Sequence, residues 1–401
     1  MAMTDSTRAW LVAAGAAVAS GTAFGVSYSF ATFFDATADE FDAGRGSVAI
    51  VFGITLFLFF GVGVVSGPWA DRIGPRPLLT AGGLIMAAGL LATSRVEHLV
   101  VGYLTYGAGV GIGAGLIVAP AYATVGGWFV RRRALAFGVA AAGSGCGTLT
   151  LVPTAEALID AHGWRTAYVI LAVVALVLIS VAVALISRAP VPPPPPARDH
   201  MSRVARTPAF QWFFLSSLLF SVSLFTAFAF VVEFAGDDGV SDGAAALLVG
   251  IIGASSVVGR VGMAPLIARL GSVRMMQVCL AFQPVAFAVW LVAGGSYGLL
   301  IAFALLLGVA YGGYVALVPE VSAHLFGVVG LGGVVGMMFV SSALGGLIGP
   351  PLSGFLADGF DGHEVPIVMC ILVSALALVV TLAVPTEPVA LPERAAVVEP
   401  V

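Results

Sequence analysis

The chain contains no lysine; all 17 of its basic residues are arginine. Charge of either sign is scarce. Charged residues make up 9% of the 401, against 60% hydrophobic, and the mean hydropathy is +1.07. A soluble globular protein needs far more polar surface, so that class is excluded. Cysteine is rare too. Cys146, Cys279 and Cys370 lie in apolar runs with no C-x-x-C pair, and they read as small buried hydrophobes. There is no G-x-x-x-x-G-K-[ST] loop, and the 5 histidines are scattered at loops or run ends. Nothing therefore cradles a phosphate or gathers a metal. No enzyme, cofactor, metal or nucleic-acid partner is expected. What remains is a polytopic membrane protein whose solvent is the lipid bilayer. Its 51 glycines suit close helix packing.

Apolar runs recur about twelve times, approximately at 9–34, 46–70, 77–95, 98–126, 132–159, 164–187, 209–235, 243–268, 274–294, 297–322, 329–356 and 365–386. Each is long enough to cross a bilayer as a helix. The first run exceeds the apolar stretch of a cleaved signal peptide, so an uncleaved first helix is expected. The eleventh is interrupted by Gly345, Gly346, Gly349, Pro350 and Pro351. With the N-terminus placed inside, 13 arginines fall in inner loops and tails and only Arg45, Arg95 and Arg165 in outer loops. The acids lean the other way. The positive-inside rule then puts both termini in the cytoplasm of a cell (plasma) membrane protein. Pro192 to Pro196 cannot continue a helix and read as a spacer. The chain divides into a six-helix bundle at 1–187, a cytoplasmic proline-rich linker at 188–208, a second bundle at 209–386 and a tail at 387–401.

Arg260 stands out. Between Asp242 and Arg269 it is the sole charge in the eighth run. A guanidinium near mid-bilayer costs at least ~2.5–3.5 kcal/mol on insertion scales. Arginine cannot escape by losing its proton. It must face a polar cavity, and no acid lies one turn away. Ser256 lies one turn earlier on the same face. The halves also echo each other: GVGIGAGLIVAPAYA (109–123) recurs as GVAYGGYVALVPEVS (308–322). Same-direction repeats of six helices are the logic of a transporter with its site between bundles. Tyr122 and Tyr311, near the matched Pro120 and Pro319, could line opposite cavity walls. Tyr28 and Phe24 in the first run and Ser341 in the eleventh are further candidates.

The loop GPWADRIGPRPL (67–78) resembles the signature loop of the major facilitator superfamily, roughly G-x-x-x-D-R-x-G-R-R. The resemblance implies twelve transmembrane helices in two six-helix bundles, an all-α integral membrane fold. It also implies a gating role for Asp71, Arg72 and Arg76, with Arg131 and Arg132 as partners of Asp71. WFVRRRALAFGVAAAGSGCG (128–147) is similar to the loop and fifth helix of monocarboxylate transporters and their oxalate/formate relatives. Those families place a carboxylate-binding arginine in the eighth helix, as in SVVGRVG around Arg260. Two departures matter. Proton-coupled animal members carry an aspartate where Ser256 stands, and lysines in the first helix, or in the eleventh for oxalate exchangers, have no counterpart here. One cavity cation argues for one carboxylate on the substrate.

The expectation is a secondary transporter that carries a small monocarboxylate, lactate-like or pyruvate-like, by alternating access, together with a proton. Glu320 and Glu233 are the candidate proton carriers, since no acid sits at mid-bilayer. An oxalate/formate-type antiporter and a drug or amphiphile exporter are the alternatives within the superfamily. A non-transporting receptor or scaffold is the alternative from another class.

Overall fold

The computed structural model describes residues 6–129, 132–188, 198–262, 264–327, 331–360 and 362–389. It contains 12 helical segments long and apolar enough to cross a membrane, and no strand among the described residues. The protein is an all-α multi-pass membrane protein. Spans 1 to 6 are Thr7–Phe41, Arg45–Gly67, Pro75–Thr93, Leu99–Trp128, Leu135–His162 and Trp164–Leu185. Spans 7 to 12 are Pro208–Asp237, Asp242–Arg260, Ser272–Leu291, Tyr297–Phe326, Gly333–Phe360 and Glu364–Thr381. Helices are what such a sequence must form, because lipid offers no partner to a free backbone amide or carbonyl.

Local signals set the ends. Pro75 and Pro208 open spans 3 and 7, where a missing N–H costs nothing. The Thr207 hydroxyl accepts from the Phe210 N–H at 3.3 Å. Gly163, at φ 77°, turns the chain between spans 5 and 6. Three details differ from the expectation. Span 1 continues past residue 34 through a 3₁₀ turn, Ser29–Phe33, to Phe41. Span 4 contains a π-turn, Tyr103–Ala108. The predicted interruption of the eleventh run is absent: the helix Leu331–Phe360 passes straight through Pro350 and Pro351. Gly345 and Gly349 press that helix against Ser221 and Val222 of span 7, and this close packing holds it in line.

Packing repeats with a shift of six. Span 1 packs on spans 4, 5 and 6, as span 7 does on spans 11 and 12; span 4 packs on spans 2 and 3, as span 10 does on spans 8 and 9. The two halves meet along two main seams, span 2 against span 11 and span 5 against span 8. One end of the molecule gathers acids: Asp35, Asp39, Glu40, Asp42, Asp237, Asp238, Asp242, Asp358 and Glu364. The other gathers Arg72, Arg76, Arg188, Arg203, Arg206, Arg269 and Arg274. These are called the acidic and basic ends below.

Candidate substrate site and gate

Arg260 lies on the helix Asp242–Gly262, as the last residue of span 8 toward the basic end. Its side chain crosses the seam to span 5. Nη1 donates to the Ala141 carbonyl and, at 3.0 Å, to the Ser144 hydroxyl. Ala141 is six residues into span 5, about 9 Å from its basic-end start at Leu135. The guanidinium carbon sits 5.7 Å from the centre of the Tyr311 ring, within cation–π range. Arg260 Nε is buried with no hydrogen-bond partner. Among the described residues no carboxylate pairs with this arginine.

Beside it runs a narrow cavity lined by residues of both halves. Phe24, Tyr28, Ser144 and Thr148 come from the first half, and Phe228, Ser256 and Tyr311 from the second. Arg260 touches its rim through Ser144 and Tyr311. The rings form a continuous wall: Phe228 stacks on Tyr28 at 4.2 Å and meets Tyr311 edge-on at 5.7 Å. Tyr28 is 2% exposed; its hydroxyl lies near that of Tyr311 but makes no hydrogen bond of good geometry. The Ser256 hydroxyl donates to its own helix at Gly253, 2.6 Å away, which leaves its lone pairs facing the cavity residues.

The structure thus brings Arg260, Ser256, Tyr311, Tyr28 and Phe24 together. Tyr122 is absent from the cavity lining and packs at 6.5 Å from Phe137, yet it stands within electrostatic reach of Arg260 and Tyr311. Ser341 is not brought to this group. Ser341 is fully buried, bonded to the Met338 carbonyl of its own helix. Sequence reasoning missed Phe228, Thr148 and the Ser144–Ala141 platform. The A-G-S-x-x-G stretch of the fifth run contained the signal for Ser144, but it reads as helix packing until the arginine lands on it.

At the acidic end, Arg45 reaches from span 2 to span 7. It pairs with Glu233 through Nε and with Asp237 through Nη2 at 2.7 Å. Asp358 of span 11 accepts the Arg45 and Gly46 backbone N–H groups at 2.9 Å each, capping span 2 from the opposite half. Glu233, expected as a proton carrier, is paired with Arg45 in this structure; Glu320 is exposed. Among the basic-end candidates, Arg76 donates to the Ile186 carbonyl at 2.7 Å and to that of Ala184, closing the end of span 6. Arg72 is exposed, and its carbonyl accepts from Arg188. Arg132 is exposed, whereas Arg131 and the side chain of Asp71 lie outside the described residues.

The seams are tight at the acidic end and loosen toward the basic one. A methyl added at Gly354 would lie 2.6 Å from Gly46, and one at Gly346 would lie 2.6 Å from Leu56. Nearer the basic end, one at Gly336 would find only Val64, at 3.9 Å, and one at Gly61 nothing within 4 Å. On the other seam, methyls at Gly253 and Gly250 would meet Thr148 at 2.9 Å and Leu149 at 3.0 Å, while Gly138 and Gly262 face open space.

Two six-span repeats that clasp at one end and part at the other define a class, the two-half membrane transporters. The family model of the Major Facilitator Superfamily matches residues 15–293 and 241–399. Monocarboxylate transporter 3 of Mus musculus is 35% identical over 90% of this chain and 76% of the relative. The Rattus norvegicus protein of that name is 32% identical over the same shares. Monocarboxylate transporter 11 of Homo sapiens is 31% identical over 88% of this chain and 78% of its own length. The chain belongs to the monocarboxylate transporter family of the Major Facilitator Superfamily, and it is not an enzyme. A solved bacterial homologue of the human lysosomal transporter Spinster, in an inward-facing and unoccupied conformation, shares the fold. Its TM-score is 0.72 at 14% identity, covering 94% of this chain and 97% of that one.

Proposed function

We propose that this protein moves a small monocarboxylate across the cell membrane by alternating access, with Arg260 as the residue that binds the carboxylate. The relatives named monocarboxylate transporters support the substrate class. The observation that carries the reading is a half-buried arginine whose buried Nε has no partner, at the rim of a cleft that both halves line. A carboxylate matches that planar fork with two parallel hydrogen bonds. Once the cleft widens and the Ser256 proton turns from the Gly253 carbonyl, the Ser256 and Tyr28 hydroxyls and the Tyr311 ring complete a pocket for one charge and a short apolar tail. One fixed cation compensates one carboxylate, so a dianion binds poorly.

The same guanidinium holds span 8 to span 5 through the Ala141 carbonyl. A bound carboxylate competes with that carbonyl for Nη1, which couples occupancy to the seam between the halves. On this reading residues 1–187 and 209–386 rock as two bundles joined by 188–208, with 387–401 as a tail. The basic end and both termini face the cytoplasm. The state described here then opens inward, with Arg45 as the outer lock. A proton accompanies the substrate, on its own carboxylate or through Glu320 or Glu233 during rocking.

Radiolabelled lactate uptake by Arg260→Ala and Arg260→Lys tests the site. Loss with alanine and partial recovery with lysine is the expected result; normal uptake by the alanine variant overturns it. Coupling is tested separately. Lower external pH is expected to raise the initial rate, and a protonophore to abolish accumulation; indifference to both would remove the proton from the mechanism.

A further inference from the structure

The seam between spans 5 and 8 ends, at the acidic end, in carboxylates alone. Glu156 and Asp160 come from span 5, and Asp242 is the first residue of span 8. One carboxylate oxygen from each lies within 4.8 Å of the other two. Asp160 and Asp242 are exposed, but Glu156 is only 6% exposed. Among the described residues Glu156 makes no hydrogen bond and no ion pair. Its charged neighbours are Asp160, Asp242 and Asp35, all acids. Of the arginines at this end, Arg45 is committed to Glu233 and Asp237 and Arg165 to Glu40, while Arg95 is exposed in the loop between spans 3 and 4.

Carboxylates so grouped repel each other, and holding one on a side chain largely withdrawn from water, without a partner, is costly. Both effects push the halves apart about two turns beyond the glycine contacts that press them together. A cation would reverse the sign. Oxygens that ligate one calcium ion at about 2.4 Å lie up to about 4.8 Å apart, so the observed grouping fits a single hard cation. Three carboxylates offer up to six oxygens, and water fills the remaining positions from the exposed side.

We propose that Glu156, Asp160 and Asp242 form a divalent-cation site of the calcium class, which fastens the two halves at the acidic mouth of the span 5–span 8 seam. It is the counterpart of the Arg45 lock on the other seam, with a metal in place of the guanidinium. The site does not depend on which solute the protein carries, and its test reads metal binding, not uptake.

The purified full-length protein in detergent is titrated with CaCl₂, with MgCl₂ and NaCl at matched ionic strength as controls, and thermal unfolding is followed. Terbium luminescence gives the affinity directly. The expected result is a saturable rise in Tm with Ca²⁺, weaker with Mg²⁺ and absent with NaCl. Asp242→Asn and Glu156→Gln should each weaken terbium binding by about tenfold or more. Asp160→Asn changes an exposed position and keeps the test alive if the buried variant misfolds. Glu156→Gln should also raise the metal-free Tm, because it removes the repulsion. Equal shifts with NaCl, a response to Mg²⁺ but not Ca²⁺, or unchanged terbium affinity in all three variants would overturn the site.

Discussion

Arg45 and Arg260 each reach from one half of the chain to the other, and they find different company. Arg45 meets Glu233 and Asp237, while Asp358 caps the helix that Arg45 begins. Arg260 meets a carbonyl, a hydroxyl and the face of a ring. The first charge is neutralised where it stands. The second is held only by dipoles, with one buried N–H left over. A permanent charge inside a membrane protein costs several kcal/mol unless an opposite charge joins it, on the order of 2.5–3.5 kcal/mol even on the mildest scales. On the proposed reading, the paired arginine at the rim is a fastening, and the arginine without a carboxylate at the shared cavity receives the anion.

Substitution should separate the two roles. Arg260→Ala has the largest expected effect on transport. Loss of a buried, bidentate charge contact is typically worth about 2–5 kcal/mol, so uptake efficiency should fall at least ~30-fold while the protein still purifies as a folded species. Arg45→Ala leaves the 4% exposed Glu233 buried without its cation. Unfolding free energy should drop by about 1–3 kcal/mol, read as a lower Tm, with uptake reduced less than by Arg260→Ala. If Arg45→Ala abolished uptake and left Tm unchanged, the division of labour would be wrong. Asp358→Ala removes a helix cap supplied by the other half and should cost about 0.5–2 kcal/mol. Combined with Arg45→Ala it should cost less than the sum, because both act on one contact between halves.

Much of this was legible in the sequence. The span count follows from run length, because a bilayer leaves a long apolar helix no alternative. Arg260 announced itself because charge in such a run is expensive, and its neighbours Ser256 and Tyr311 followed from helical spacing and from the matched prolines. Pairings between distant spans were not legible. Arg45 read as an outer-loop arginine and Glu233 as a proton carrier, since nothing local shows that span 2 and span 7 meet at their acidic ends. Phe228 was hidden among the phenylalanines of span 7, whose burial depends on rotation about the helix axis. The prolines of span 11 misled in the other direction: composition marks a break, but tight packing against span 7 keeps the helix whole.

Tyr28 offers the finest test, because its hydroxyl belongs to neither fastening. It is buried without a hydrogen bond of good geometry, and its ring stacks on Phe228 in the cavity wall. A hydroxyl with no such bond contributes nothing favourable to the fold, and burying it costs about 1–3 kcal/mol. Tyr28→Phe keeps the ring and the stacking while removing that cost. Tm should therefore hold or rise slightly. If the hydroxyl serves a carboxylate bound at Arg260, the lost hydrogen bond is worth about 0.5–1.5 kcal/mol, so KM for lactate should rise roughly 2- to 13-fold with Tm intact. A lower Tm with unchanged KM would make Tyr28 a packing residue and shrink the site to Arg260, Ser256 and Tyr311.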